Sequence, residues 1–89
     1  MKIKLELFGA SRDFSNKDHL EIEVQDKASI NDLRNEIIKH VDKNFSGNEN
    51  FIKVVKSSAF CSENNEIISD NYEITKDQKV GIIPPIGGG

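Results

Sequence analysis

Apolar and polar residues alternate with a period of two in two stretches near the start of this chain, and from Ser29 the period becomes helical. That switch constrains the fold more than any other feature. In KIKLELF, Ile3, Leu5 and Leu7 fall on one face, with Lys2, Lys4 and Glu6 on the other, the pattern of a half-buried strand. HLEIEV repeats it, with Leu20, Ile22 and Val24 set against Glu21 and Glu23. The intervening GASRDFSNKD carries Gly9, Ser11, Ser15, Asn16 and Asp18, residues that favour turns, so the two strands are expected to pair as a hairpin with a long loop.

In SINDLRNEIIKHV the apolar residues Ile30, Leu33, Ile37 and Val41 recur at helical spacing, and Ile38 widens the stripe. Ser29 followed by Asp32 is an acidic variant of the capping box, while Lys39, His40 and Lys43 suit the negative pole of the helix dipole. Asn44 and Gly47 in NFSGNEN end the helix. FIKVVKSSAFCS is rich in β-branched and aromatic residues and reads as strand-like with ambiguous register, and ENNE reads as a turn before Ile67 and Ile68. A last strand, KVGII, alternates Val80 and Ile82 with Gly81 and Ile83 and runs into Pro84 and Pro85, which cannot continue a ladder. If the first and last strands lie adjacent and parallel, the order hairpin, helix, strands gives an α+β roll. The expected fold is a ubiquitin-like β-grasp, a mixed sheet with one main helix across it, over residues 1–83, with an extended, flexible Pro-Pro/Gly tail over 84–89.

A chain of 89 residues has room for one domain with one modest core. Its 12 Lys+Arg and 15 Asp+Glu are interspersed, with a formal charge of -3, which argues against a nucleic-acid partner. No apolar run approaches the roughly 20 residues of a membrane span, and the charged N-terminal strand is unlike a signal peptide. The cytoplasm is therefore the expected compartment. Cys61 is the only cysteine, so the chain alone can form neither a disulfide nor a cysteine zinc site, and no metal site is expected.

The chain ends on PPIGGG. From the glycines alone, a linker or a frayed end is the simpler account. In VGIIPPIGGG, however, an apolar segment precedes Pro-Pro, an aliphatic residue, one small residue and a terminal Gly-Gly, and this spacing resembles the small subunit of molybdopterin synthase, a family of β-grasp sulfur carriers. LFGASRDF, SINDLRNEI and NNEIISDNYEITKDQKV resemble that family's first strand, capped helix and final approach, in order. Ser62, Glu63, and the run Lys76, Asp77 and Gln78 depart from its pattern, and the stretch from Phe45 to Ser58 matches nothing in it.

The resemblance implies a non-catalytic subunit of a sulfurtransferase complex. Gly89 would be adenylated, converted to a thiocarboxylate and used to donate sulfur to a cyclic pyranopterin precursor, with Gly88 beside it in the reactive pair. The implied partners are a large synthase subunit, a ubiquitin-activating-like adenylyltransferase and a sulfur donor protein. The carrier itself would bind no cofactor; ATP would be used by the activating enzyme. Phe8, Ile67 and Ile83 match apolar positions that pack on the large subunit, with completion of the core as the alternative, evenly weighed for Ile67, and Pro84, Pro85, Ile86 and Gly87 would enter its cleft. Related carriers for thiazole synthesis or tRNA thiolation, and ubiquitin-like modifiers, also end in Gly-Gly, so the recipient stays open. Glycine suits such a tail because it lacks Cβ and lets the backbone approach catalytic groups closely. Within the chain His19, expected in the hairpin loop, and His40, at a helix end, read as solvated, Glu21 and Glu23 as surface charge, and Cys61 as a small packed hydrophobe. Lys53 and Lys56 read as plain surface or as an aid to docking an acidic partner.

Overall fold

A computed structural model describes residues 1–85. The first strand, β1, runs Lys2–Leu7, and its alternation resolves as the sequence predicts: Ile3, Leu5 and Leu7 are buried while Lys2 and Lys4 are exposed. It pairs antiparallel with β2, His19–Glu23, and parallel with β5, Gln78–Ile83. Two short strands complete the sheet. β3, Ala59–Cys61, pairs antiparallel with β5, and β4, Ile67–Ile68, pairs antiparallel with β3. The order is β2-β1-β5-β3-β4, a mixed five-stranded sheet with the first and last strands side by side at its centre.

Helix α1, Ile30–Asn44, buries Ile30, Leu33, Ile37 and Val41 in the core formed with the inward residues of the sheet. Its start is fixed locally. Ser29 Oγ accepts from the Asp32 N–H at 3.1 Å and Asp32 Oδ2 accepts from the Ser29 N–H at 2.9 Å, the reciprocal box expected from the sequence. The loop before β5 satisfies two further orphan donors, since the Ile30 and Asn31 N–H groups donate to the carbonyls of Tyr72 and Asp70. Ile74 in that loop is fully buried, and its N–H donates to the Ala28 carbonyl at 2.7 Å. The mixed sheet with a helix across one face is the β-grasp arrangement the sequence predicts.

Three local expectations require correction. The stretch read as strand-like after Asn48 is a second helix, α2, Glu49–Ser57. Asn48 caps it by accepting from the Asn50 and Phe51 N–H groups, and the spacing of Phe51, Val54 and Val55 gives it an apolar face, so capping and packing override the β propensity of Ile52, Val54 and Val55. Its far end is held from α1. Arg34 Nη1 donates to the carbonyls of Val55, Lys56 and Ser58, Nη2 pairs with Asp70 at 2.7 Å, and the guanidinium lies 4.8 Å from the Phe60 ring centroid.

The hairpin loop differs second: it contains a 3-10 helix, Gly9–Phe14. Phe14 is buried there, 5.2 Å from Phe51, which in turn meets Phe45 at 5.0 Å, so an aromatic chain ties the loop to both helices. His19 is the third: it opens β2 and lies opposite Glu6 instead of occupying the loop. Of the tail, Pro84 and Pro85 are described; Ile86, Gly87, Gly88 and Gly89 lie outside the described residues.

Candidate functional site

Because side chains alternate across a strand, the residues that do not face α1 form a second surface on the opposite side of the sheet. The register aligns His19, Glu6, Gly81, Cys61 and Ile67 in one row across all five strands of that surface. Toward β2 it is charged, with Lys4, Glu6, Glu21, Glu23 and Lys79 and a Lys79 to Glu6 pair at 3.5 Å. Toward β3 and β4 it is apolar. Ile67 is 67% exposed and Phe8 41%, two of the few large exposed hydrophobics among the described residues, and Ile83 beside them is half-buried. Phe8, Ile67 and Ile83, singled out from the sequence, therefore share one face of the sheet. Ile67 belongs to the surface while its neighbour Ile68 packs toward the core.

Gly81 and Cys61 lie beneath this apolar half. A Cβ at Gly81 would stand 2.6 Å from Cys61 Sγ and 3.0 Å from Phe8 Cε2, so only glycine lets the Phe8 ring and the Cys61 thiol close over β5. Cys61 is buried, as a small hydrophobe would be. A lone glycine inside KVGII was the one sequence signal of this close approach.

The tail leaves the sheet at the same end. The ladder between β3 and β5 ends on the pair Ala59 and Ile83, and Pro84 follows at once. Pro84 is half-buried and sits against Gly9, whose φ of +55° is a conformation that glycine adopts readily. Pro85 is exposed. A groove beside the two prolines is lined by Ala10, Asn50, Lys53, Val54 and Ser57, which places Lys53 near the tail root. Gly88 and Gly89, the expected reactive pair, and Ile86 and Gly87 lie outside the described residues.

The titratable groups do not converge here. His19 Nδ1 lies 3.0 Å from Asp18 Oδ1, and this hydrogen bond holds the Asp18 carboxyl below the usual carboxylate range. His40 stands on α1 beside Asn44, on a different element from His19. Glu21 and Glu23 are exposed, as are Lys53 and Lys56. The arrangement offers an apolar docking face and a tail root, with no nucleophile, base and orienting group assembled among the described residues.

Comparison with known proteins bears on this geometry. Residues 5–89 match the model of the ThiS family. Among solved structures, molybdopterin converting factor, subunit 1, from Pyrococcus furiosus is 26% identical, aligned over 96% of this chain and 98% of its own, with a TM-score of 0.69. SAMP1 from Haloferax volcanii superposes over 100% of both chains with a TM-score of 0.68 at 13% identity, a likeness of fold. No curated protein sequence matches the chain.

Proposed function

The chain belongs to the ThiS family of ubiquitin-like sulfur carriers, and from that premise we propose that it is the sulfur-carrying small subunit of a molybdopterin synthase. The observation that carries this reading is the junction of the Pro-Pro/Gly-Gly tail with the apolar half of the open sheet face. Phe8 and Ile83 flank the end of β5 from which Pro84 departs, and Ile67 lies on the same face two strands away, so a partner that docks on the face also receives the tail. The likeness to a molybdopterin converting factor subunit favours the pterin pathway over other sulfur recipients. No helix among the described residues is long and apolar enough to cross a membrane; that the reaction runs in the cytoplasm is part of the proposal.

Carboxylate is a poor electrophile, so the chemistry begins with activation. A Gly89 carboxylate oxygen attacks the α-phosphorus of ATP on an adenylyltransferase and pyrophosphate leaves. Sulfide supplied by a sulfur donor protein then displaces AMP and leaves a thiocarboxylate. In the large subunit the thiocarboxylate sulfur bonds to a side-chain carbon of cyclic pyranopterin monophosphate as a C–O bond at that carbon breaks and its oxygen leaves; water then cleaves the resulting thioester, so that sulfur stays on the pterin and Gly89 is a carboxylate again, and a second thiocarboxylated chain repeats the step to supply the other dithiolene sulfur. Gly88, Gly87 and Ile86, with the stiff Pro84-Pro85 pair, thread this end into both enzymes.

Reconstitution tests the assignment. Thiocarboxylated protein mixed with a molybdopterin synthase large subunit and cyclic pyranopterin monophosphate should yield dithiolene, whereas a thiazole synthase or a tRNA-thiolating enzyme should leave the sulfur on the carrier. Turnover by one of those enzymes and none by the synthase subunit would contradict the pathway.

A further inference from the structure

The tail root is held by a part of the chain remote in sequence. β5 loses its last ladder partner at Ile83, and Pro84 has no N–H with which to extend the ladder. The direction in which the chain leaves the sheet must therefore be set by contacts other than strand pairing. The corner where β1 turns into the 3-10 helix supplies them at two points. The Phe8 ring covers Gly81, three residues before Pro84, and Gly9 faces Pro84, whose Cγ and Cδ lie 3.9 Å from where a Gly9 Cβ would stand.

Ser11 locks that corner. Its side chain is fully buried, one of two buried polar residues among those described. Ser11 Oγ accepts from the Phe8 N–H at 3.0 Å and donates to the Phe8 carbonyl at 2.6 Å, and the Ser11 N–H donates to the same carbonyl at 3.1 Å. Three hydrogen bonds thus fix both peptide groups of Phe8 and, between Phe8 and Ser11, the positive φ of Gly9. A hydroxyl is required because both its donor and its acceptor capacity are used. Alanine would leave the Phe8 N–H without its partner, and a buried or half-buried donor without a partner favours a rearranged backbone.

On the sulfur-carrier reading above, we propose that Ser11 is a positioning residue for the tail: through Phe8 and Gly9 it fixes the direction in which Pro84 and Pro85 leave the sheet. The leverage is geometric. Four residues follow Pro85, and fully extended they span at most about 14 Å, so a swing of about 10° at the root displaces the reactive carbon by roughly 2 Å. A misplacement of about 1 Å can lower the rate on the order of a hundredfold when nothing absorbs it; the three glycines after Pro85 allow part of the swing to be taken up, so a smaller loss, about tenfold, is expected. The proline pair restricts the bonds through which such a swing would otherwise be absorbed.

The test uses the full chain with Ser11→Ala. Nuclear Overhauser cross-peaks between Gly9 Hα and Pro84 Hδ should be present in the wild type and lost in the variant. The rate of thiocarboxylate formation at saturating activating enzyme should fall about tenfold with KM within about twofold, because the tail and not the docking face has moved. Should Ser11→Ala fail to fold, Gly9→Ala leaves the Ser11 hydroxyl in place while straining the positive φ, and it should give the same fall in saturating rate together with loss of the cross-peaks between the Phe8 ring and Gly81 Hα. Retained cross-peaks, or lost cross-peaks with an unchanged saturating rate, would overturn the proposal. If the wild type is not converted at all, the sulfur-carrier reading fails separately, and the cross-peaks alone decide: their loss in the variant upholds the hold of Ser11 on the tail root and their persistence refutes it.

Discussion

The two faces of one sheet do different work. On the inner face Ile3, Leu5, Leu7, Phe60, Val80 and Ile82 are buried against α1 and its neighbours. On the outer face the same strands present Lys4, Glu6, Lys79, Gly81, Cys61, Ala59 and Ile67, and only part of that surface is apolar. Burial on the inner face removes apolar area from water when the chain folds, and so it stabilises. The exposed apolar half of the outer face gains nothing until something covers it, and under the proposed function that is the partner that also receives the tail. A residue's parity along β1 or β5 thus separates stability from recognition.

Substitutions on the two faces can break that division. The largest effect is expected for Leu5→Ala, which empties part of the core at the central strand pair. It should cost about 2–5 kcal/mol, and at roughly 4–8 °C per kcal/mol for a domain of this size it should lower Tm by about 8–40 °C. Thermal unfolding followed by circular dichroism reads it directly. Arg34→Met should come next, at about 2–3 kcal/mol, because it removes charged donors from the Val55, Lys56 and Ser58 carbonyls and leaves them without that partner; a loss of protection in α2 by hydrogen exchange would localise the damage. Gly81→Val sharpens the contrast from the outer side. The added Cβ meets Cys61 Sγ and the Phe8 ring, so a loss of about 1–3 kcal/mol is expected, together with a displaced Phe8.

The smallest effect on stability should come from Ile67→Asp. Its side chain is mostly exposed, and the change should stay within about 0.5 kcal/mol in denaturant unfolding. Binding to a large synthase subunit should nevertheless weaken severely, because the new carboxylate would have to be desolvated at an apolar contact without a partner. If Ile67→Asp unfolded the chain, or left binding intact, the outer face would not be the docking surface.

Much of this division was legible in the sequence, and the exceptions share a physical cause. β1 announced itself by alternation, and α1 by its stripe and its capping box, because both signals are local. Phe8 continues the outward parity of Lys2, Lys4 and Glu6, and Ile83 runs out of phase with Val80 and Ile82, so both could be placed on the outer face. α2 was missed because its β-branched residues point the other way by propensity, while what secures its end, Arg34, lies 21 positions before Val55. Ile67 could not be assigned from a two-residue strand; its side is decided by pairing with Cys61. The corner of Phe8, Gly9 and Ser11 was read as a loop because its reason for being ordered, contact with Gly81 and Pro84, comes from the far end of the chain.

Under the proposed function, sulfur is carried at the end of the tail and not on a side chain of the domain. The most direct test of this is the intact mass, with C-terminal peptide mapping, of protein incubated with ATP, an activating adenylyltransferase and a sulfur donor. The wild type and Cys61→Ser should both gain the mass of one oxygen replaced by sulfur, located on Gly89, and a chain lacking Gly89 should gain little or none while melting at the wild-type temperature. Sulfur found on Cys61 alone, or equal conversion of the shortened chain, would contradict it.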